Sequence, residues 1–249
     1  DFDCSIAVKD NGRASMLYSN GSDLKAGQIA YASSLYTYGD EWHTRTILED
    51  VNITKVELAI TPDYLEWGVF RNEQGELHRI NYTGAFWETG LLEQGPVGED
   101  FELEITSSGI VYLLYTKSNQ AILSTIFEGI STNQMIAEST FLHSDVGMTL
   151  DDSQLLQLFT SKLEENQTTL SVERSLANQN NQISSTARYS IISDLIGTNS
   201  GNIFMADFNL DGLDDVVYSE PESSTQTFTN NGRVSVHYSS HIGISSVAN

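Results

Sequence analysis

Cysteine, proline and positive charge are all scarce in this 249-residue sequence, and each shortage excludes something. Cys4 is the single cysteine, so no intrachain disulfide can form and stability has to come from a packed core or a bound ion. Lysine and arginine number 12 against 34 aspartates and glutamates, a formal net charge of −22 that repels phosphate backbones and anionic lipid. Nucleic acid is therefore not an expected partner. No apolar run approaches the roughly 18 residues of a membrane-spanning helix, and no charged-then-apolar leader opens the chain, so membrane insertion is not expected either. The five histidines (His43, His78, His143, His237, His241) show no spacing suited to zinc. A Gly-x-Ser-x-Gly elbow is missing and Cys4 has no evident partner, which leaves nucleophilic hydrolysis unsupported.

With only 3 prolines, 18 glycines and 10% aromatics, the composition suits pleated sheet more than helix. A strand–turn–strand unit recurs. First strands are read at Ile6–Val8, Leu58–Ile60, Leu103–Ile105 and Met148–Leu150, each followed by a polar turn such as Lys9-Asp10-Asn11-Gly12 or Thr106-Ser107-Ser108-Gly109. Second strands end on Tyr18, Phe70, Tyr115 and Phe159, which puts the period near 45 residues. Third strands are expected at Gln28–Ala32, Leu77–Tyr82, Ala121–Phe127 and Thr169–Glu173, and fourth strands at Trp42–Leu48, Phe86–Leu92, Met135–Phe141 and Ile183–Tyr189. Four strands per unit of roughly 40–45 residues is the pattern of a β-propeller. The sequence predicts one all-β domain of five four-stranded blades at about 4–51, 52–98, 99–144, 145–192 and 193–249, or a piece of a six- or seven-bladed propeller if it is a fragment. It opens on Asp1, not Met, as a processed protein or excised domain would. Leu176–Ser185 reads as the most polar and flexible loop.

The fifth unit carries a run of a different kind. In Asp207-Phe208-Asn209-Leu210-Asp211-Gly212-Leu213-Asp214-Asp215, side-chain oxygens fall at alternate positions, as convergence on one hard cation requires. Gly212 would supply the positive φ after the third ligand, Leu213 a carbonyl oxygen, and Asp215 the closing carboxylate. The twelfth position is Tyr218, where an EF-hand needs a bidentate acid, and the flanks Ile203-Phe204-Met205 and Val216-Val217-Tyr218 are β-prone. A strand–loop–strand site is expected instead.

Residues 201–238 resemble the FG-GAP repeat of integrin α-subunit propellers. That resemblance implies a Ca2+ site formed by Asp207, Asn209, Asp211, Leu213 and Asp215, structural in role, in a protein working where calcium is millimolar: extracellular, at the cell surface or periplasmic. The preceding units are weakly similar to lectin-like and sialidase-like blades, with Trp42 and Trp87 as the late tryptophan. The expected function is recognition of a carbohydrate or protein ligand, with Trp42 and Trp87 as candidate ligand-binding residues, although filling the wedge between blades is the commoner use of such side chains. Trp67, Tyr64, Tyr82, Tyr112 and Tyr115 are read as packing. A propeller glycoside hydrolase or lyase is the alternative, with carboxylates drawn from Glu57, Glu102, Glu104, Asp151 and Asp152. Thr61-Pro62-Asp63-Tyr64-Leu65-Glu66-Trp67 lacks the spacing and glycine of a sialidase Asp-box, and no catalytic residue is assigned. Sequons at Asn20, Asn52, Asn81 and Asn166 would accept N-glycans in a eukaryotic secretory pathway.

Overall fold

A computed structural model describes residues 3–9, 14–20, 22–29, 43–138, 143–150, 156–164, 167–177, 183–193, 203–211, 215–220, 232–240 and 243–244. They form strands and turns with no helix. The first sheet contains β1 (Cys4–Val8), β2 (Ala14–Ser19), β3 (Leu24–Ile29) and β4 (His43–Leu48). In the second are β5 (Ile53–Ile60), β6 (Glu66–Asn72), β7 (Leu77–Tyr82) and β8 (Trp87–Glu93). The third holds β9 (Phe101–Ile105), β10 (Val111–Lys117), β11 (Gln120–Phe127) and β12 (Ile130–Glu138), and the fourth β13 (His143–Leu150), β14 (Leu156–Glu164), β15 (Gln167–Ala177) and β16 (Ile183–Ser193). A three-stranded sheet of β17 (Ile203–Ala206), β18 (Asp215–Glu220) and β19 (Arg233–His237) follows, then the short pair β20 (Ser239–Ser240) and β21 (Gly243–Ile244). Each sheet is a meander in chain order, and the pairings described within them are antiparallel.

The first strands end at Val8, Ile60, Ile105 and Leu150, where the sequence places them. Fourth strands are less well foreseen: β12 starts at Ile130, five residues before the expected Met135. Glu128 and Gly129 both have positive φ (49° and 78°), the backbone of a two-residue type I′ hairpin, so pairing resumes at once as Phe127↔Ile130. The polar segment Leu176–Ser185 is also shorter than expected, because Leu176 pairs with Ser185 and Ala177 with Ile183 in the β15–β16 ladder. Ala30, Tyr31 and Ala32, expected in the third strand, lie outside the described residues.

The chain divides into two compact units, Asp1–Glu99 with Ile105–Val111, and Asp100–Glu104 with Tyr112–Asn249. In the first, alternation buries one face of each sheet. Leu17 and Leu24 pack against Ile53, Val56, Leu58, Phe70 and Ile80, with Ile47, Leu48 and Trp87 at the margin. Each such side chain contributes about 1.5–3 kcal/mol on burial. Gly68 in β6 permits the approach: a Cβ there would lie 2.8 Å from the Glu57 carbonyl oxygen and 2.9 Å from Leu17 Cδ2. In the second unit β10 is buried from Val111 through Thr116, a strand covered on both faces, and Phe101, Leu103, Leu123, Val146, Met148, Leu156 and Leu158 complete its apolar interior.

First strands lie at sheet edges, where their outward N–H groups need acceptors. Asp3, just before β1, accepts the Val56 N–H at 2.6 Å, and Ser5 Oγ accepts the Leu58 N–H at 3.0 Å. Asp100, just before β9, accepts the Val146 N–H at 3.2 Å in the second unit. The same chemistry therefore recurs at equivalent places.

One hairpin turn is also used three times. At 61–65, 72–76 and 106–110 a type I turn is followed by a residue with positive φ, and the first residue's side chain accepts the N–H of the fifth: Leu65 onto Thr61 Oγ1, Glu76 onto Asn72 Oδ1, Ile110 onto Thr106 Oγ1. Gly75 and Gly109 fill the positive-φ position in two of them, and Tyr64 (φ 62°) in the third.

An ion pair ties the first two sheets. Glu66, 2% exposed, accepts from Lys9 Nζ at 2.9 Å and Ser15 Oγ at 2.7 Å, while the same ammonium donates to the Tyr64 carbonyl at 2.6 Å. Burial pushes the Glu66 carboxyl upward, but the hydrogen bonds from Lys9, Ser15 and its own backbone N–H, with the Lys9 charge, outweigh that and hold it below the ordinary 4.5. A group whose pKa is depressed on folding contributes stability above its unfolded pKa, and the contribution is lost as pH falls through the folded value. In urea melts between pH 6 and pH 3, Glu66→Gln should show a smaller acid-induced loss of stability than the parent chain; equal slopes would exclude the linkage. Lys9→Met should destabilise by about 3 kcal/mol at neutral pH, because it strands a buried charge. Gly68→Ala should lower the stability by about 1–3 kcal/mol through the overlap with backbone, as read from the denaturation midpoint.

Candidate functional site

The Tyr82–Trp87 hairpin and the strand facing it carry the clearest ligand chemistry. Tyr82 ends β7 and Trp87 begins β8, and the two pair directly across the ladder. The connection is pinned by the Thr83 N–H to the Phe86 carbonyl at 2.9 Å and by the Tyr82 hydroxyl donating to the Gly84 carbonyl at 2.9 Å. The two rings stand 5.5 Å apart, tilted by 42°. Over both lies Arg45 of β4, its guanidinium carbon 5.0 Å from the Tyr82 centroid and 5.6 Å from that of Trp87. Trp87 also packs against the core, and its Nε1 is buried with no hydrogen-bond partner among the described residues. The Trp87 ring thus fills the wedge between the first two sheets. Phe86, 58% exposed, extends the apolar surface beside them.

Aromatic faces next to a planar cation with five N–H donors suit a polyhydroxylated ring, whose C–H face seeks apolar cover while its hydroxyls seek donors. Sequence reasoning named Trp87 but missed Arg45. The ladder sets Arg45 opposite buried Ala26, and a register shift at Ile47 interrupts the period-2 alternation that would have marked its face in the sequence.

The other predicted residues are dispersed. Trp42, Asp151 and Asp152 lie outside the described residues, as do Gly212 and Leu213 of the acidic loop. Trp67 is half-buried on β6, and Tyr112 and Tyr115 are core side chains as expected. Burial pushes the Tyr112 phenol upward. Tyr64 departs from expectation, since 47% of it is exposed. Glu57 accepts from Ser5 Oγ at 3.1 Å and pairs with Lys55 at 3.6 Å, and Glu102 and Glu104 are half-buried on β9. The only sequon on a described strand, Asn81, has its carboxamide oxygen buried.

In the acidic loop, strands flank the run on both sides, with Ala206 paired to Asp215. Asp207 Oδ1 and Asn209 Oδ1 both accept the Asp211 N–H, at 3.0 and 2.9 Å, and Asp215 Oδ2 accepts the Phe208 N–H at 3.1 Å. Asp215 is fully buried, whereas Asp211 is exposed. The positive φ within the described part falls on Leu210 (61°), which stands outward at 87% exposure. Among the described residues no group of three or more His, Cys, Asp or Glu side chains is gathered tightly enough to hold a metal.

No protein-family model matches the sequence, and no curated protein matches it. Solved structures do match in fold. A fungal lectin from Aleuria aurantia, described as a six-bladed β-propeller with a novel fucose recognition mode, superposes with a TM-score of 0.55 at 11% identity over 97% of this chain and 88% of that one. The SapL1 lectin in complex with α-methyl fucoside gives 0.56 at 8% identity over 94% and 75%. A GH43 β-1,3-galactosidase with galactodeoxynojirimycin gives 0.52 at 7% identity over 98% and 92%. At such identities the likeness is one of fold alone, and it makes this chain an all-β protein of β-propeller type.

Proposed function

We propose that the chain is a carbohydrate-recognition module with five propeller blades, working outside the cell, at its surface or in the periplasm. The observation that carries this reading is the Arg45 guanidinium lying over the Tyr82 and Trp87 rings. The aromatic surface offers cover to the C–H face of a sugar ring, and the guanidinium offers paired donors to vicinal hydroxyls. The fold neighbours support the reading, since two are lectins and the third is a galactosidase with galactodeoxynojirimycin.

The last blade is read as an FG-GAP-like unit holding one calcium ion. Asp207, Asn209, Asp211 and Asp215 with the Leu213 carbonyl would hold it, all hard oxygen donors. Two of those oxygens meeting at one backbone N–H supports the fit. The ion's contribution is mechanical: it neutralises the acidic run and stiffens the connection between β17 and β18.

On a glycan array the chain should bind a restricted set of glycans, and Arg45→Ala should lose at least tenfold in apparent affinity with little change in melting temperature, because an exposed cation–π contact is worth only about 0.5–1 kcal/mol to the fold. Binding to no glycan, with capture of protein ligands instead, would overturn the reading. Millimolar calcium should stabilise the parent chain by on the order of 2.7 kcal/mol at a hundredfold excess over Kd, read as a raised melting temperature, and Asp211→Ala should abolish the shift. A parent chain indifferent to calcium would refute the ion site.

A further inference from the structure

A second cavity lies where three first strands end. Its volume is about 330 Å³, and its lining is Val8 and Lys9 after β1, Ile60, Thr61, Pro62 and Tyr64 after β5, and Ile105, Thr106 and Ser107 after β9. That volume falls at the lower end of small-molecule sites, about 300–1,000 Å³. The walls are apolar at Val8, Ile60, Pro62 and Ile105, and hydroxyls and an ammonium stand between them.

Tyr64 is the anomaly. In the three copies of the hairpin turn, the positive-φ position is glycine twice and tyrosine once. A bulky side chain there is disfavoured, and such strain persists only where the surroundings over-determine it. They do so here. Lys9 Nζ holds the Tyr64 carbonyl at 2.6 Å, buried Glu66, itself held by the Ser15 hydroxyl, anchors that ammonium, and the Thr61 carbonyl accepts the Tyr64 N–H at 2.8 Å. The ring is only partly covered, since Tyr64 remains 47% exposed at the cavity. An aromatic ring held there, half-covered and lining a cavity, is placed to receive a ligand.

We propose that this cavity binds a neutral pyranose, with the Tyr64 ring as plate for its C–H face and Lys9 Nζ and Ser107 as polar contacts. The ligand class rests on the carbohydrate reading above, while the site is separate from Arg45. Neutrality follows from charge. Glu66 already balances Lys9, whose third N–H is uncommitted among the described residues, and a chain of net charge −22 disfavours an anion.

The test is backbone amide chemical-shift mapping on the full chain, titrated to tens of millimolar with methyl glycosides of neutral hexoses and, separately, methyl glucuronide. Neutral glycosides should shift the Thr61, Thr106 and Ser107 amides, and Arg45→Ala should leave those shifts in place. Tyr64→Gly retains the carbonyl that Lys9 holds, so it should weaken the response at least tenfold with a melting temperature unchanged or raised by about 2 °C. Shifts that persist in Tyr64→Gly, a fall in its melting temperature together with lost shifts, or tighter binding of the glucuronide would each overturn the proposal. Shifts confined to residues 45 and 82–87 would overturn it while leaving the carbohydrate reading intact, and shifts at the cavity alone would support it while removing the Arg45 site.

Discussion

The buried Glu66 carboxylate is the constraint around which the first unit is arranged. A charge at 2% exposure must be matched within hydrogen-bond reach, and its partners come from the neighbouring sheet, Ser15 on β2 and Lys9 just beyond β1. Satisfying it sets β2 against β6, the contact that the missing side chain of Gly68 also permits. It also fixes the turn after β5, because the same ammonium grips the Tyr64 carbonyl. One ion pair thus registers two sheets and displays one aromatic ring.

Edges impose the second requirement. Meanders leave first strands with unpaired N–H groups, and at three of them single side chains from the preceding sheet or its entry accept: Asp3 on Val56, Ser5 on Leu58, Asp100 on Val146. Several acidic residues of this very acidic chain therefore have structural tasks as acceptors. The surplus left on the surface bears on partners and favours neutral or cationic ligands over anions.

What could be read from the residues depended on how local the cause was. The ends of the first strands and the turn glycine Gly109 were legible, because alternation and turn chemistry act over a few residues, whereas the second strands run past Tyr18, Phe70, Tyr115 and Phe159 to Ser19, Asn72, Lys117 and Glu164. The Glu128-Gly129 hairpin was local too, yet no Asn-Gly or Asp-Gly pair announced it, and β12 was placed too late. Lys9 and Glu66 are 57 residues apart, and no pattern in either segment marks the pair. Tyr64 was hidden differently: Pro62 and Asp63 fit a type I turn, but the residue after them occupies a position where glycine is the rule, so the segment read as a defective Asp-box. Of the candidate site, Trp87 was legible as an aromatic at a recurrent position, whereas Arg45 emerged only when β4 was set against the Tyr82–Trp87 hairpin.

The two candidate surfaces lead to one central proposal, that this chain recognises carbohydrate as a binding module. Native mass spectrometry of the full chain with neutral oligosaccharides tests it most directly. The account predicts adducts at the mass of the whole oligosaccharide that persist on long incubation. Free monosaccharide accumulating in the mixture, or no adduct with any neutral oligosaccharide, would contradict it.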